Sequence, residues 1–514
     1  MKRKRIRKRR SSDVKARAEV KSPIRPGLEG GYYKPLSDED VVRIHEAALS
    51  VLANTGVNIV DSECRDILQK AGAKVDAALD RVYFPRNMVE QALKLTNRNV
   101  LFYGRDPKHD LNLTAKKVYL GTGGAAVKVL DLDSGHARDS ALRDLYDIGR
   151  LVDKLENIHF YLRPVVARDV PNDLIDVNTF YACFASTRKH VMGSCYFPDK
   201  VAELKKLAIM IAGDEAAFRA RPFFSLNLGY VVSPLRFAPE TVETLTAAVR
   251  AGIAVSLVSA PQSGATSPAS LVGTLVQTVA EELAGITYVQ LLAPGHPLLM
   301  GGMPLVADLR TGSTVGGSAE LALMNAAATQ LTHFYNLPIY NTCGLTEAKV
   351  PDVQAGYEKG MTITATALAG ANFNHHAAGM LESMLTVAYE QYVIDDDLGG
   401  QILRLVRGLE VNDETLSLDV IHEGALGEGH YLDHPQTLEL MQSEYVYPHT
   451  ADRTSRANWE AAGSWDMREI ARHRAREILN SHFPKLLSDN LDARIREEFP
   501  IQLPRQTMQP GGYP

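Results

Sequence analysis

The sequence predicts an α/β fold of the (β/α)₈ barrel type, with a helical segment on either side of the barrel. Between residues 118 and 408, short apolar runs alternate with segments whose apolar residues recur at helical spacing. Polar clusters stand at the ends of these runs, as they do where a barrel builds a site at the carboxyl ends of its strands. An open doubly wound sheet is the alternative fold.

The residues before the barrel divide into two parts. Residues 1–30 predict a disordered tail, and eight of its first ten residues are Lys or Arg. No apolar segment follows these charges, so they do not mark a secretory signal. A handle for an acidic partner or for nucleic acid is the sharper alternative. Residues 31–117 predict a helical N-terminal segment, in which Ser37 caps the first helix and Gly56 ends it. Two more helices are expected at 62–71 and 86–94.

The barrel segment, residues 118–408, is read in order as eight strands and seven helices. The strands are predicted at 118–120, 159–166, 190–195, 223–228, 253–259, 297–301, 338–342 and 371–375. The helices are predicted at 173–186, 199–211, 239–251, 267–292, 318–335, 352–369 and 389–406. The glycine-rich turn at 121–124 lacks the last glycine of a dinucleotide-binding turn, and no helical pattern follows it directly. Residues 409–514 predict a C-terminal helical extension and tail.

Composition limits the class of protein. The chain has 514 residues, of which 45% are hydrophobic and 23% charged, so it can bury a large core. Its formal net charge of -5 argues against a body that binds nucleic acid. No apolar run approaches the ~20 residues that a membrane span needs. The four cysteines form no CxxC pair, which favours a reducing cytoplasm and excludes a zinc site of that kind.

The candidate site residues are polar side chains at predicted strand ends: Asn227, Gln262, Asn341, His375 and His376. Asn227 and Gln262 fit a capping role equally well. The two histidines are adjacent and should point to opposite faces of a strand, and without i, i+4 spacing they predict no metal site. Glu358 and Gln354 fit a surface pair on one helix face. The chain lacks GxSxG and HExxH motifs, so hydrolysis by a nucleophile triad or a zinc-bound water is not supported.

Many short blocks of the chain, in order, resemble the trimethylamine methyltransferase family. The densest run of matching residues extends from Asp308 to Gly379. The blocks are 31–37, 264–266, 280–281, 294–297, 310–312, 317–320, 344–349, 352–359, 369–376, 390–396 and 463–466. The family fold is a (β/α)₈ barrel, so the resemblance implies the same fold as the strand count.

The resemblance also implies a reaction. Family members pass a methyl group from an amine nitrogen to the cobalt(I) of a separate corrinoid protein. The archaeal trimethylamine enzymes carry pyrrolysine, which this sequence does not contain near residues 344–346 or elsewhere. Members without pyrrolysine act on quaternary amines such as glycine betaine, proline betaine and carnitine. The chain has no DxHxxG motif for cobalamin, so we expect it to bind no cofactor itself and to meet the corrinoid on a partner protein.

On that basis the candidate residues receive expected roles, although no catalytic residue is assigned. The strand-end amides and histidines would bind the substrate together with the aromatic side chains Phe373 and Tyr357. The residues expected to face the corrinoid are Gly301, Gly302, Asp308, Arg310 and Gly312. Another methyl acceptor such as a folate, and a non-catalytic scaffold that senses an amine, stay open as alternatives. A homo-oligomer is also open, because barrels often associate through their outer helices.

Overall fold

The computed structural model describes residues 22–427 and 429–511. Of the predicted basic tail, residues 1–30, the first 21 residues therefore lie outside the described part of the chain. The chain divides into two compact units. Among the described residues, one unit comprises 26–407 with 448–511, and the other comprises 22–25 with 408–447.

The larger unit is a mixed α/β structure with eight parallel strands, which we label β1 to β8. Each lies within or beside a predicted run: β1 Lys117–Leu120, β2 Phe160–Leu162, β3 His190–Gly193, β4 Phe224–Leu228, β5 Val255–Ser259, β6 Leu298–Gly302, β7 Tyr340–Thr342 and β8 Phe373–His375. The second and third strands end before their predicted ends at residues 166 and 195. Their later residues form the loops that carry part of the candidate site.

The strands pair in chain order. One sheet runs β2-β3-β4-β5-β6, with all neighbours parallel. In a second sheet β8 lies between β7 and β1, again parallel. Isolated parallel bridges join Gly121 to Phe160 and Met300 to Ile339, so β1 contacts β2 and β6 contacts β7. Backbone hydrogen bonds from His159 N to Leu120 O (2.7 Å) and from Met300 N to Pro338 O (3.0 Å) accompany these bridges.

A helix follows each strand, and we label these α1 to α8. They are α1 Leu142–Lys154, α2 Ile175–Ser186, α3 Lys200–Ala212, α4 Pro239–Arg250, α5 Leu271–Leu292, α6 Ala319–Phe334, α7 Val353–Ala369 and α8 Tyr389–Arg407. All seven predicted helices are confirmed, whereas α1 was missed. It begins only after a hairpin formed by Lys128–Leu130 and Ala137–Asp139. An additional short helix, Glu215–Ala220, follows α3.

The two faces of the strands are covered differently. In β4, Phe224 and Leu226 pack into the large core beneath the helices. A second, smaller apolar cluster takes residues from six strands and from a hairpin formed by Leu101–Phe102 and Leu111–Asn112. Its buried members are Val100, Phe102, Leu111, Leu113, Tyr119, Phe160, Leu162, Met192, Leu299, Tyr340 and Phe373. Strands buried on both faces explain why the predicted runs are continuously apolar.

The N-terminal segment contains more than the predicted helices. Its helices are Asp38–Asn54, Ser62–Lys70 and Arg86–Leu95, and Ser37 caps the first one through its hydroxyl oxygen. The strands Val57–Asn58, Lys74–Asp76 and Arg81–Tyr83 form a sheet with Val231–Val232 and Arg236–Phe237 from the loop after β4. The three predicted helices are present, and the small sheet is an addition that the prediction of a helical segment did not include. These strands are two or three residues long, too short to show an alternating pattern.

The remaining elements are short. Leu28–Glu29 pairs antiparallel with β1, and Gln262–Ser263, Leu305–Ala307 and Thr314–Val315 form a small sheet after β5 and β6. Met380–Leu381 and Thr386–Ala388 join the hairpin that precedes α1. The C-terminal helices of the larger unit are Arg456–Ala461, Met467–Ser481 and Asp489–Glu498. The smaller unit contains the helices Leu418–Leu426 and Pro435–Leu440.

Candidate functional site

A cluster of polar and aromatic side chains lies where the parallel strands end. We define this strand-end cluster as Arg163, Ser194, Tyr196, Asn227, Tyr340 and His375. Arg163 donates from Nη1 to the Tyr196 hydroxyl (2.9 Å) and from Nη2 to Ser194 Oγ (3.3 Å). Ser194 Oγ in turn donates to Asn227 Oδ1 (3.3 Å). Asn227 and Ser194 are half-buried, so a small ligand could reach this network.

Arg163 is the cationic centre of the cluster. It is only 4% exposed, and its Nε has no hydrogen-bond partner among the residues that the structure describes. No carboxylate oxygen among the described residues lies within 4.0 Å of its guanidinium nitrogens, although the charge of Asp176 reaches it from farther away. A buried cation without an adjacent anion costs free energy, because water no longer solvates its charge. This position is therefore suited to an anionic group supplied by a ligand.

His375 and Tyr340 form the aromatic side of the cluster. Their rings stack with centroids 3.8 Å apart. Both ring nitrogens of His375 are buried, with no hydrogen-bond partner within residues 22–427 and 429–511, and burial lowers its pKa well below the ordinary value. Burial raises the pKa of Tyr340, and Asn227 and the Arg163 charge oppose this rise. Near neutral pH the cluster therefore offers a neutral imidazole and a neutral phenol.

Strand alternation predicted that His375 and His376 point to opposite faces, and this prediction is wrong. The φ of 64° at His376 turns the chain after β8, and the two imidazole rings contact each other at 4.2 Å. His376 Nδ1 is hydrogen-bonded to Thr342 Oγ1 at 2.8 Å. Burial, and next the charge of Lys359, lower its pKa to about 3. His376 thus supports His375 and is not itself one of the unpaired groups.

Phe373 belongs to the core beneath the cluster. Its ring stacks on Phe160 at 3.5 Å and lies 5.8 Å from the ring of Tyr340. Phe102 contacts it edge-on from the hairpin at the other end of the strands. With these ring neighbours and no exposure, Phe373 supports Tyr340 from below.

The structure does not bring Asn341 and Gln262 to the cluster. Asn341 points to α6, where its Nδ2 donates to Asn325 O (2.8 Å) and Thr329 Oγ1 (2.6 Å). Gln262 donates to Val306 O and Thr314 Oγ1 in the small sheet beyond β5 and β6. Both amides connect one element to another. Asn341 follows Tyr340 on β7, so alternation sends the two side chains to opposite faces.

Gly301 and Gly302 at the end of β6 allow close packing. A Cβ atom added to Gly301 would lie 1.6 Å from Leu257 O on β5, and one added to Gly302 would lie 3.2 Å from Thr278 Cγ2. The amide of Gly301 also donates to Glu282 Oε2 (2.9 Å). Glycine is therefore required at 301 by the neighbouring strand itself.

Asp308, Arg310 and Gly312 lie in the turn between Leu305–Ala307 and Thr314–Val315. Arg310 donates from Nη2 to Asp308 Oδ2 at 2.8 Å, and its side chain is 88% exposed. This arginine and the backbone amides of the turn lower the pKa of Asp308 to about 2. Gly312 adopts a φ of 76° with open space around it. The turn is thus an exposed, locally stabilised element.

Tyr357 is exposed on α7, whereas its neighbour Glu358 is buried. Glu358 accepts hydrogen bonds from Thr346 Oγ1, from Glu347 N (2.8 Å), and from the side chains of Gln354 and Tyr357. The expected pairing of Gln354 with Glu358 is present, but its expected location at the surface is wrong, because the carboxylate is buried. Because two of its four donors belong to Thr346 and Glu347, this carboxylate anchors the loop after β7.

A buried ion pair lies beneath the loops that follow β7 and β8, and it was not predicted. Lys359 Nζ lies 3.2 Å from Asp395 Oδ2, and both side chains are fully buried. Lys359 also donates to Gly344 O, and Asp395 accepts from Gly379 N and Gln391 Nε2. The pair connects α7 to α8 and fixes the loops on either side of His376.

Arg163 was the principal omission of the strand-end prediction. Its signal was a charged residue inside the apolar run 159–166, which was assigned to the strand as a whole. The described residues contain no group of three or more His, Cys, Asp or Glu side chains placed to hold a metal ion. They also contain no helix that is long and apolar enough to cross a membrane.

Comparisons with known proteins agree in one family. The family model for trimethylamine methyltransferase (MTTB) matches residues 2–502. A trimethylamine methyltransferase MttB of Desulfitobacterium hafniense is 34% identical over 482 residues, which cover 93% of this chain and 96% of that protein. The MttB of Methanosarcina thermophila is 34% identical over 464 residues, covering 88% of this chain and 94% of its own.

A relative with a different named substrate also matches. A glycine betaine methyltransferase of Desulfitobacterium hafniense is 29% identical over 465 residues, covering 90% of this chain and 96% of its own. Among solved structures, an endoglucanase from Clostridium longisporum covers 62% of this chain and 99% of its own at 10% identity, but its TM-score of 0.31 supports no conclusion. The match to the family model extends over nearly the whole sequence, and these three relatives are named as methyltransferases. The chain therefore belongs to the trimethylamine methyltransferase family and is a methyltransferase.

Proposed function

We propose that the eight parallel strands close into a (β/α)₈ barrel, whose carboxyl-end face holds the strand-end cluster. The bridges Gly121–Phe160 and Met300–Ile339 support this, because they supply the two contacts missing from a ring of neighbours β1 to β8. The helix after every strand and the apolar cluster on the other strand face are what such a barrel requires. An experimental structure in which β1 and β2 lie apart would contradict the closure.

We propose further that the protein transfers a methyl group from a carboxylated quaternary amine, such as glycine betaine, to the cobalt(I) of a corrinoid on a partner protein. The single observation that carries the substrate class is the buried Arg163, which has no adjacent carboxylate in the part of the chain that the structure describes. A guanidinium in this state pairs well with a ligand carboxylate through charge-assisted hydrogen bonds. Trimethylamine, which has no carboxylate, would leave that charge uncompensated.

The aromatic side of the cluster suits the other end of such a substrate. A quaternary ammonium has no N–H to donate and interacts best with aromatic faces. The stacked rings of Tyr340 and His375, both neutral near neutral pH, lie beside Asn227. A cationic imidazolium would repel the ammonium, so the lowered pKa of His375 favours binding.

The chemistry requires positioning more than proton transfer. The cobalt(I) of the partner's corrinoid would supply the electron pair for the new cobalt–carbon bond, while the electrons of the broken carbon–nitrogen bond would remain on nitrogen. The leaving group is then a neutral tertiary amine, which needs no proton in order to depart, so no general acid is required. The protein must hold the methyl group in line with the cobalt. Fixed contacts to both ends of the substrate achieve this.

The acceptor must approach the same face of the barrel. We propose that the exposed turn containing Asp308, Arg310 and Gly312 faces the corrinoid partner. Gly301 and Gly302, which have no side chains, would leave space for the corrinoid at the end of β6. The proposed substrate contacts are Arg163, Asn227, Tyr340 and His375. Asn341, Gln262, Phe373, Tyr357 and His376 would act by supporting these elements. We place the reaction in the cytoplasm, which the four free, buried cysteines support.

The test uses the purified protein under anaerobic conditions with cobalamin reduced to cobalt(I). Glycine betaine, carnitine, proline betaine, choline and trimethylamine are added separately, and methylcobalamin formation is followed in the visible spectrum. Binding of each amine is measured by calorimetry in parallel. We expect methyl transfer from, and tight binding of, a carboxylated quaternary amine. Choline is the matched ligand, because it keeps the trimethylammonium group but has no carboxylate.

The outcomes separate the alternatives. Turnover of trimethylamine with no binding of the carboxylated amines would refute the substrate class. Methylation of tetrahydrofolate in place of cobalamin would refute the corrinoid acceptor. Tight amine binding without methyl transfer to reduced cobalamin, to tetrahydrofolate or to a corrinoid protein would favour a sensing role.

A further inference from the structure

The smaller unit exposes an unusual amount of apolar surface. We call residues 408–447 the acidic arm. Its exposed side chains include Leu409 (87%), Val411 (76%), Leu418 (71%), Leu426 (75%) and Leu432 (82%). Ile421, Leu438, Tyr445 and Tyr447 are also more than half exposed. Apolar side chains this dense on a surface indicate an interaction site.

The charge of the arm is entirely of one sign. Its sequence contains nine Asp or Glu residues and no Lys or Arg. Five of these carboxylates have no Lys or Arg nitrogen within 4.0 Å among the described residues: Glu410, Asp413, Glu414, Asp419 and Glu439. Within the described part of the chain, Glu423 and Asp433 are paired only with histidines of the arm itself. The natural occupant of this surface therefore carries positive charge.

The chain contains one segment with the complementary charge. Residues 1–21 hold eleven Lys or Arg and two acidic residues, a formal charge of +9, against -9 for the arm. The long aliphatic stems of Lys and Arg can cover apolar side chains while their charged ends meet carboxylates. A single segment could therefore satisfy both properties of the arm.

Chain continuity tethers this segment to the compact unit that contains the arm. Residues 22–25, which lead into residues 1–21, belong to the same compact unit as residues 408–447. We propose that residues 1–21 dock on the acidic arm of the same chain through guanidinium–carboxylate and ammonium–carboxylate contacts. The basic segment then has an acidic partner within its own chain. Nucleic acid is disfavoured as the partner, because the acidic arm would repel its phosphates.

The first experiment measures tryptic cleavage within residues 1–21 of the full-length protein. The test variant neutralises the arm by Glu410→Gln, Asp413→Asn, Glu414→Gln, Asp419→Asn and Glu439→Gln. The matched control makes the same change of charge at exposed carboxylates of the larger unit, by Glu39→Gln, Asp66→Asn, Asp173→Asn, Glu243→Gln and Glu497→Gln. A synthetic peptide of residues 1–21 corrects for the effect of salt on trypsin.

We expect the arm variant to be cleaved roughly tenfold faster than the wild type and the control at low salt, because cleavage follows the undocked population. The difference should vanish at about 1 M salt, where the screening length falls to about 3 Å. Equal cleavage of all three proteins at low salt would overturn the proposal. Circular dichroism checks that the arm variant keeps its helices.

The second experiment needs no variant. Equal amounts of nitrogen-14 and nitrogen-15 protein are mixed and treated with a carbodiimide, which joins Lys amines to adjacent carboxylates. Cross-links between residues 2–21 and the arm that carry a single isotope would support docking within one chain. Cross-links of mixed isotope would show that a second copy is the occupant and would overturn docking in the same chain. Absence of cross-links to the arm, with cross-links elsewhere, would refute the proposal outright.

Discussion

At the scale of single residues, the site depends on which strand-end side chains remain unpaired. Asn227 could be placed from the sequence, because an amide after an apolar run marks a strand end. Arg163 could not, because an isolated arginine in a run of apolar residues does not reveal whether a carboxylate will be folded against it. The same limit applies to His375 and His376. Their relative direction depends on a positive φ at residue 376. A glycine would have indicated such a φ in the sequence, but this position is a histidine.

Arg163→Gln should weaken binding of a carboxylated quaternary amine by about tenfold to a hundredfold, because a charge-assisted hydrogen bond contributes about 1.5 to 3 kcal/mol. Binding of choline should change little, because choline offers no carboxylate to residue 163. Calorimetric Kd values for glycine betaine and choline, measured on the same preparations, provide the check.

The control for this substitution is Arg168→Gln. Arg168 follows the same strand, but its side chain is about half exposed and pairs with Asp139 at 2.8 Å. It should leave both Kd values unchanged. An equal loss of affinity for choline and glycine betaine in the Arg163 variant would show that Arg163 organises the cluster without contacting the carboxylate.

At the scale of elements, β-strand and helix positions followed from the alternation of apolar patterns, while the loops did not. The short strands that join the N-terminal segment to the loop after β4 are set by tertiary contacts. The sequence shows where the glycines are, but it does not show which neighbouring atoms require a glycine at each position. At Gly121–Gly124 the neighbours of an added Cβ are the Phe160 ring, the His376 backbone and Met380. The turn is a tight packing of the chain on itself.

Gly301→Ala should destabilise the fold by more than about 2 kcal/mol, because its Cβ would lie 1.6 Å from a backbone oxygen of β5 and strand backbones cannot shift independently. Gly356→Ala is the matched control on α7, where nothing lies within 4 Å of the added atom. It should stabilise by about 0.5 to 1 kcal/mol, because alanine has the higher helix propensity. Urea denaturation of both variants tests the difference, and similar midpoints would contradict it.

The Lys359–Asp395 pair connects α7 and α8, and its loss should be costly. Asp395→Asn leaves a fully buried ammonium without its anion, which costs about 3 to 5 kcal/mol in the free energy of unfolding. The control is Asp489→Asn in the exposed pair with Lys485, where the expected cost is below about 1 kcal/mol. Replacing both partners, by Lys359→Met with Asp395→Leu, should recover most of the loss. Failure to recover would show that the carboxylate's bonds to Gly379 and Gln391 matter more than its charge.

At the scale of the whole molecule, composition and strand–helix alternation were sufficient to predict a large mixed α/β protein. The division into two units was not predicted, because the junction at Gly408 looks like any loop in the sequence. Buried titratable groups could not be predicted either, since burial is a property of the folded chain. They nevertheless determine how the molecule responds to acid. The pKa is lowered at His45, His109, His159, His190, His296, His333, His375 and His376.

These histidines and the buried carboxyls act on stability in opposite directions. A histidine whose pKa is lowered on folding stays neutral while the unfolded chain takes up a proton, so stability falls as the pH drops below the unfolded pKa of about 6.5. Carboxyls whose pKa is raised on folding, such as Glu281, Glu282 and Asp396 (to about 6), take up protons in the folded state first. Their contribution to the stability of the folded protein is therefore lost as the pH rises. A test of one histidine must therefore compare variants at each pH.

His190 is the clearest case, because burial dominates the shift and no charged group takes part. It is fully buried, its ring nitrogens meet Tyr103 O and Ser225 Oγ, and its pKa is lowered to about 4. Between the unfolded pKa and about 4, the wild type should lose about 1.4 kcal/mol per pH unit relative to His190→Gln, which carries no proton. The stability cost of His190→Gln should thus shrink by about 2 kcal/mol from about pH 7 to about pH 5. Urea unfolding of both proteins across this range measures it. Phe160→Leu, a core substitution without a titratable group, should show a cost independent of pH. A cost of His190→Gln that is equally independent of pH would mean that folding does not lower the pKa of His190.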